Sequence, residues 1–104
     1  MNISFTPERS KSIILIDDLE DYAVLFNTLT AETMGLNSTS LLVWNKIDGK
    51  RTIRDISKVI SDNFLVEFEK AKEDVADLIG RMHRRMFIDL REKNHLIPED
   101  RETD

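Results

Sequence analysis

The order of elements in the chain is set by residues 44–53, WNKIDGKRTI, which predict the end of one helix and the start of the next. Candidate N-cap residues at 37–40 precede the first helix, which is expected over roughly 39–47. Gly49 is well placed to end that helix in a left-handed conformation. Residues 52–55, TIRD, have the form of a capping box and predict the start of a second helix. Two helices separated by a tight turn therefore occupy the middle of the chain.

Apolar spacing defines the inner faces of the helices that follow the turn. In the second helix one face is formed by Ile53, Ile56, Val59 and Ile60. After a bend at residues 64–66, a third helix is expected over about 68–85. Its inner face is an apolar stripe made of Ala71, Val75, Leu78, Ile79, Met82 and Met86. Spacing at i, i+3 and i+4 is typical of helices packed on a core.

Three short segments before the helices have the composition of strands. We expect them over Ser12 to Ile16, Tyr22 to Asn27 and Glu32 to Leu36, because these residues are apolar, β-branched or alternating. The acidic run at residues 17–21 is expected to form the turn between the first two. The predicted architecture is three strands followed by three helices.

Both ends of the chain are expected to lie outside the folded domain, which we place at residues 12–90. Residues 1–11 are polar and contain Pro7, so we expect a flexible lead-in. Residues 87–90 could form a short final strand. Residues 91–104 are charged and lack apolar periodicity, and we expect a disordered tail.

The composition excludes most catalytic chemistry. The 104 residues carry a net charge of −5 and no cysteine, which rules out disulfides and thiolate sites and fits the cytoplasm. Neither His83 nor His95 has a helical ligand partner, so we expect no metal site and no cofactor. Three scattered glycines do not form a phosphate-binding loop. No segment has the apolar length of a signal peptide or a membrane span. We therefore expect a non-catalytic binding module.

Two features could bind a partner. The segment Glu32 to Leu36 is the last strand before the helices and therefore a candidate sheet edge, to which a peptide could add a further strand. The alternative is that Glu32 and the short length only protect this edge from aggregation. The third helix is acidic in its first half and carries Arg81, Arg84 and Arg85 at its end. This pattern complements the helix dipole, but Arg81 and Arg85 could also meet acidic side chains of a peptide.

Several motifs occur in an order that resembles a known family. They are YAVLFN at 22–27, GLN at 35–37, the turn at 44–53 and DVADLI at 74–79. Over roughly residues 10–90 the chain resembles the PqqD family, named for coenzyme PQQ synthesis protein D. The resemblance implies an α+β, winged helix-turn-helix-like fold in which a three-stranded antiparallel sheet is followed by a three-helix bundle.

The resemblance also implies a function. PqqD-like domains bind the leader segment of a ribosomally made precursor peptide and present it to a maturation enzyme, such as a radical SAM protein or a leader peptidase. The leader lies between the third strand and the third helix and extends the sheet. The positions implied here are the backbone of Thr33, Met34, Gly35 and Leu36, and the side chains of Asp74, Leu78, Arg81, Met82 and Arg85.

One position departs from the family. A glycine usually precedes the final apolar pair, where this chain has Met86, so the third helix is expected to run longer or to turn differently. The alternative function is a winged helix-turn-helix DNA-binding regulator, but the acidic start of the third helix would face phosphates with like charge. We expect neither nucleic acid nor a membrane as partner. A structural or oligomerisation subunit is a third alternative, for which exposed Met34 and Met82 would suit adaptable contacts, and the edge strand could pair two copies into a homodimer.

Overall fold

The computed structural model describes residues 1–19 and 22–92, so the predicted tail beyond Glu92, with His95, lies outside the described residues, as does part of the acidic run. The elements in order are β1 (Phe5–Arg9), β2 (Ile13–Leu19), β3 (Tyr22–Asn27), β4 (Thr33–Leu36), α1 (Ser38–Lys46), α2 (Ile53–Phe64), α3 (Phe68–Arg84) and β5 (Ile88–Glu92). No helix in this part of the chain has the length and apolar character needed to cross a bilayer.

The predicted antiparallel sheet is confirmed, with strand order β2-β3-β4 and β4 at one edge. One face covers the helices, and its buried residues include Ala23, Leu25 and Leu36. β2 is longer than predicted, because backbone pairing continues to Leu19, opposite Tyr22, across an irregularity between Ile16 and Leu19. The start of the acidic run, predicted as a turn, therefore belongs to β2, because its backbone remains paired with β3. The α+β class, with three helices after this sheet, is confirmed.

A second sheet was not predicted. Phe5–Arg9 form β1, which pairs antiparallel with β5 from Phe5 opposite Glu92 to Arg9 opposite Ile88. The prediction of a flexible lead-in is therefore wrong for these residues, and β5 extends past the predicted end of the domain at residue 90. Pro7 lacks an N–H, but its carbonyl still accepts a hydrogen bond from Gly49 N–H at 3.1 Å. Because each strand of this pair depends on a partner at the other end of the chain, local sequence patterns did not reveal it.

The turn at 44–53 is held by side chains close to the predicted helix ends. α1 ends at Lys46, and Gly49 adopts its left-handed conformation, φ +76°, three residues later, within the turn. The prediction that Gly49 ends the helix is therefore wrong in position. Asp48 Oδ1 accepts hydrogen bonds from the backbone N–H groups of Lys50 and Arg51, at 2.9 and 2.8 Å. The predicted capping box of α2 is confirmed, since Thr52 Oγ1 accepts from the backbone N–H of the third helical residue.

Asp48→Asn is expected to lower the stability of the protein at neutral pH. Stability should then fall less steeply as the pH is lowered than it does in the wild type. The backbone hydrogen bond from Arg51 holds the pKa of Asp48 below its usual value; partial burial opposes this shift, while the Lys50 backbone and the Arg51 charge add to it. A carboxylate whose pKa is lowered by folding stabilises the protein above its unfolded pKa, and this contribution is lost as pH falls through the folded value. Melting temperatures measured from pH 7 to pH 3 test this. Asp62→Asn, at an exposed carboxylate of α2, is the control. Identical curves for the two variants would contradict the assignment.

The predicted inner face of α3 is wrong at its last residue, Met86. Ala71, Val75, Ile79 and Met82 are buried as expected, but the helix ends at Arg84, and Met86 is 65% exposed with φ +66°. A left-handed conformation is costly for residues with a Cβ atom. Met86 therefore adopts a conformation that glycine favours, at the position where the family resemblance implies a glycine, and the helix does not run longer.

Met86→Gly is expected to raise the free energy of unfolding by about 1 kcal/mol, because glycine has no Cβ penalty at positive φ. Met86→Ala is the matched control, since it removes the same exposed side chain but keeps the Cβ atom. Urea denaturation of both variants measures the difference. A stability for Met86→Gly no higher than that of Met86→Ala would show that the backbone strain is negligible.

Candidate functional site

A groove of about 260 Å³ lies between the edge strand β4 and the exposed side of α3. Its apolar lining consists of Met34, Val43, Ile60, Val75 and Leu78. Its polar lining consists of Asn37, Thr39, Ser40, Asp74 and Arg81, and Gly35 completes the wall formed by β4. An apolar hollow bordered by a few polar groups is the usual form of a binding site.

Five of the nine predicted site residues line this groove: Met34, Gly35, Asp74, Leu78 and Arg81. The other four do not line it: Thr33, Leu36, Met82 and Arg85. Leu36 and Met82 are fully buried, and Met34 is only 7% exposed. The expectation that Met34 and Met82 are exposed is therefore wrong, and Met82 is part of the hydrophobic core.

The remaining lining residues were not predicted as part of the site. Val43 comes from α1, Ile60 from α2 and Val75 from α3. Ile60 and Val75 belong to predicted inner faces, but apolar spacing does not indicate which core residues border an opening. Asn37 was noted as a helix cap and as part of the motif at 35–37, and its side chain does accept a hydrogen bond from Ser40 N–H. The shape of the groove depends on how the three helices pack, which the sequence pattern does not specify.

The outward backbone groups of β4 follow from its register. Asn27 N–H donates to the Glu32 carbonyl at 2.9 Å, and Leu25 lies opposite Met34. Hydrogen-bonded and non-hydrogen-bonded pairs alternate along an antiparallel ladder. Hydrogen bonds to β3 therefore fall at Met34 and Leu36, while the N–H and C=O groups of Thr33 and Gly35 point away from the sheet. Two residues of the edge are thus oriented to pair with an additional strand.

Gly35 also accommodates an aromatic ring. A Cβ atom built on Gly35 would lie 2.4 Å from Tyr22 Oη and 3.0 Å from Tyr22 Cζ. Such distances are too short for an ordinary contact, so the Tyr22 ring occupies the space beside the Gly35 backbone. The absence of a side chain lets the ring and the edge strand approach closely.

The charged residues at the border of the groove already have partners. Asp74 pairs with Lys70, and Arg81 Nε lies 3.3 Å from Asp77 Oδ2. Both are exposed pairs one turn apart on α3, an arrangement worth only about 0.3–0.5 kcal/mol. A ligand can therefore replace these partners at small cost.

Arg85 contacts the edge strand itself. Its Nη2 donates to the Thr33 carbonyl at 2.7 Å, and its Nε donates to Glu32 Oε1 at 3.1 Å. The side chain predicted to meet a peptide thus already bridges α3 and β4.

A larger hollow of about 460 Å³ includes His83, Leu29 and Met86 in its lining. The buried polar side chain here, Asn27, accepts hydrogen bonds from the Ser12 hydroxyl and the Leu29 N–H and donates one to the Met86 carbonyl. None of the predicted site residues lines this hollow, so the groove is the stronger candidate. Within residues 1–19 and 22–92, His, Asp and Glu side chains form no group of three that could hold a metal ion.

Comparison with known families shows the family of this chain. The family profile described as coenzyme PQQ synthesis protein D (PqqD) matches residues 22–88. The chain belongs to the PqqD family. The matched segment runs from β3 to the start of β5 and so contains every residue that lines the groove. β1 and β2 lie outside it.

Solved structures share the fold of this PqqD-family chain. A structure described as TbiB1 in complex with the TbiA(beta) leader peptide superposes with a TM-score of 0.70 at 16% identity, covering 79% of this chain and 94% of TbiB1. A lasso peptide synthetase B1 complexed with its leader peptide has a TM-score of 0.68 at 19% identity, covering 82% and 96%. No curated protein matches the sequence significantly.

Proposed function

We propose that this PqqD-family protein is a non-catalytic adaptor that binds the leader segment of a ribosomally synthesised precursor peptide. The leader adds to β4 as a fourth strand and is presented to a maturation enzyme, such as a radical SAM protein or a leader peptidase, in the cytoplasm. The observation that carries the proposal is the outward-facing backbone of Gly35 on the edge strand β4, beside an apolar groove. Two proteins of the same fold are described in complex with leader peptides.

Backbone and side chains are expected to make different contributions to peptide recognition. Strand addition supplies main-chain hydrogen bonds that do not depend on peptide sequence, while pockets for alternate side chains supply specificity. The backbone groups of Met34 and Leu36 pair with β3 and hold β4 in the sheet. Since a cavity of about 150 Å³ already holds a benzene molecule, the groove at about 260 Å³ has room for more than one ring-sized apolar side chain.

The border of the groove fits a peptide of mixed polarity. Leu78 contributes apolar surface, and Asp74 and Arg81 stand on the same helix, with side chains 59% and 54% exposed. An acidic peptide side chain can replace Asp77 as the partner of Arg81, and a basic one can replace Lys70 beside Asp74. The buried Met82 supports this wall and makes no direct contact.

DNA binding has no comparable support. The first half of α3 presents exposed Glu69, Glu73 and Asp77, which would repel a phosphate backbone. Self-pairing through β4 into a homodimer would use the same groups as the leader, so the two would compete.

Peptide selection tests the proposal and does not require the natural leader. A displayed library of random 15-residue peptides is selected on the protein, and the selected peptides and the TbiA(beta) leader are titrated by calorimetry. We expect single-site binding with a Kd in the nM to µM range, accompanied by NMR shifts at Gly35 and Leu78. Failure to select any peptide that shifts Gly35 would contradict the proposed function.

A further inference from the structure

Arg85 is held at three points at the end of the groove. Its guanidinium donates to the Thr33 carbonyl and to Glu32, at 2.7 and 3.1 Å. The guanidinium also lies over the ring of Phe87, with Cζ 5.5 Å from the centroid. Phe87 is fully buried, so the surface on which Arg85 rests is part of the core. The side chain therefore has a defined position against the edge strand.

This position coincides with that of an added strand. In an antiparallel ladder, a peptide residue opposite Thr33 would donate its N–H to the Thr33 carbonyl. Arg85 Nη2 already donates to that carbonyl, and the guanidinium therefore lies on the outer side of β4, where the peptide strand would approach. Gly35, two residues along β4, has no equivalent contact among the described residues. Hydrogen bonds from a charged donor are roughly twice as strong as neutral ones, so exchanging Arg85 for a peptide N–H would be unfavourable.

We infer that Arg85 ends the added strand and thereby sets the register of the bound peptide. The inference rests on the proposed leader binding and concerns the extent of the pairing. The peptide pairs with Gly35 and leaves the sheet before it reaches Thr33. Arg85 is thus a positioning residue that determines which part of the leader is extended and where the chain turns away. In this proposal Arg85 acts through its contacts with Thr33 and Glu32, whereas the sequence pattern predicted that it meets an acidic side chain of the peptide.

Amide hydrogen exchange with a library-selected peptide tests this inference. In the wild-type complex we expect protection to rise at the Gly35 amide and to stay unchanged at Thr33, while the Arg85 Nε–H signal in the NMR spectrum persists. In Arg85→Ala we expect the peptide to protect Thr33 as well. Binding should also become roughly 2- to 10-fold tighter, the effect of one added hydrogen bond.

Two variants control for charge and for donor geometry. Arg84→Ala removes the same charge one residue earlier, on the last residue of α3, and should leave Thr33 unprotected. Arg85→Lys keeps a donor and should behave more like the wild type than Arg85→Ala does. Protection of Thr33 in the wild-type complex, with loss of the Arg85 Nε–H signal, would overturn the inference and leave the proposed function intact. Lack of protection at Gly35 with every peptide would contradict the proposed function itself.

Discussion

Gly35→Pro is expected to weaken peptide binding at least about 10-fold while the three-stranded sheet stays folded, because it removes the outward N–H and leaves a peptide carbonyl unpaired. Since the Gly35 N–H points away from β3, the substitution removes no hydrogen bond of the existing ladder. Proline is tolerated on edge strands in this orientation. Gly35 does not have a positive φ, so the substitution does not require a left-handed proline. Calorimetric titration with a library-selected peptide measures the loss.

Gly35→Ala separates the lost hydrogen bond from the added bulk. Alanine and proline both place a Cβ atom against Tyr22 Oη, and the Tyr22 side chain, 48% exposed, can turn away from it. Alanine keeps the N–H, so it should bind the peptide much more tightly than proline does. Circular dichroism confirms that both variants fold. Equal affinities for alanine and proline would mean that the edge backbone of β4 does not pair with the peptide.

Phe87→Ala is expected to lower the free energy of unfolding by about 3–5 kcal/mol, the usual cost of truncating a buried phenylalanine. Phe87 is among the largest of the fully buried side chains. Its backbone N–H donates to the Met82 carbonyl at 2.9 Å, and its carbonyl accepts from Ser10 N–H at 3.0 Å. The residue therefore links the end of α3 to the connection between β1 and β2. Urea denaturation followed by circular dichroism gives the difference.

Leu29→Ala provides the matched control for Phe87→Ala. Leu29 is 83% exposed, and surface substitutions usually change stability by less than about 0.5 kcal/mol. A small domain has a total stability of about 5–15 kcal/mol, so the loss of Phe87 would remove a large part of it. A loss below about 1 kcal/mol would contradict the assignment of Phe87 to the core.

The parts of the fold that were predicted from the sequence depend on local chemistry. β3 has the predicted bounds, because its residues alternate between the core and the outer face. The start of α2 was predicted from Thr52 and Asp55, whose mutual capping needs no other part of the chain. A short strand was expected at residues 87–90, but its pairing with Phe5–Arg9 was missed, because Phe5–Arg9 contains Pro7 and its partner lies far away in the sequence.

The part of the candidate site on α3 was predicted, because helical spacing alone places these residues along one side of the helix. Asp74, Leu78 and Arg81 lie about one turn apart along one side of α3, and all three border the groove. Met82 lies one turn beyond Leu78 with the same helical spacing, yet it is fully buried and does not line the groove, so spacing alone does not separate it from the lining residues. The contact between Arg85 and Thr33 depends on where α3 ends relative to β4, and helical periodicity does not specify this distance.

The small sheet of β1 and β5 has a consequence for folding kinetics. It joins segments near opposite ends of the sequence, from Phe5 opposite Glu92 to Arg9 opposite Ile88. Contacts between distant segments cost loop-closure entropy before they stabilise the chain. We therefore expect β1 and β5 to pair after the three-stranded sheet and the helices have formed, with φ-values near zero in this sheet. The pairing of the two strands is thus expected to be a late step in folding. Among the described strand pairs it joins the residues farthest apart in sequence, and it raises the contact order of the domain most.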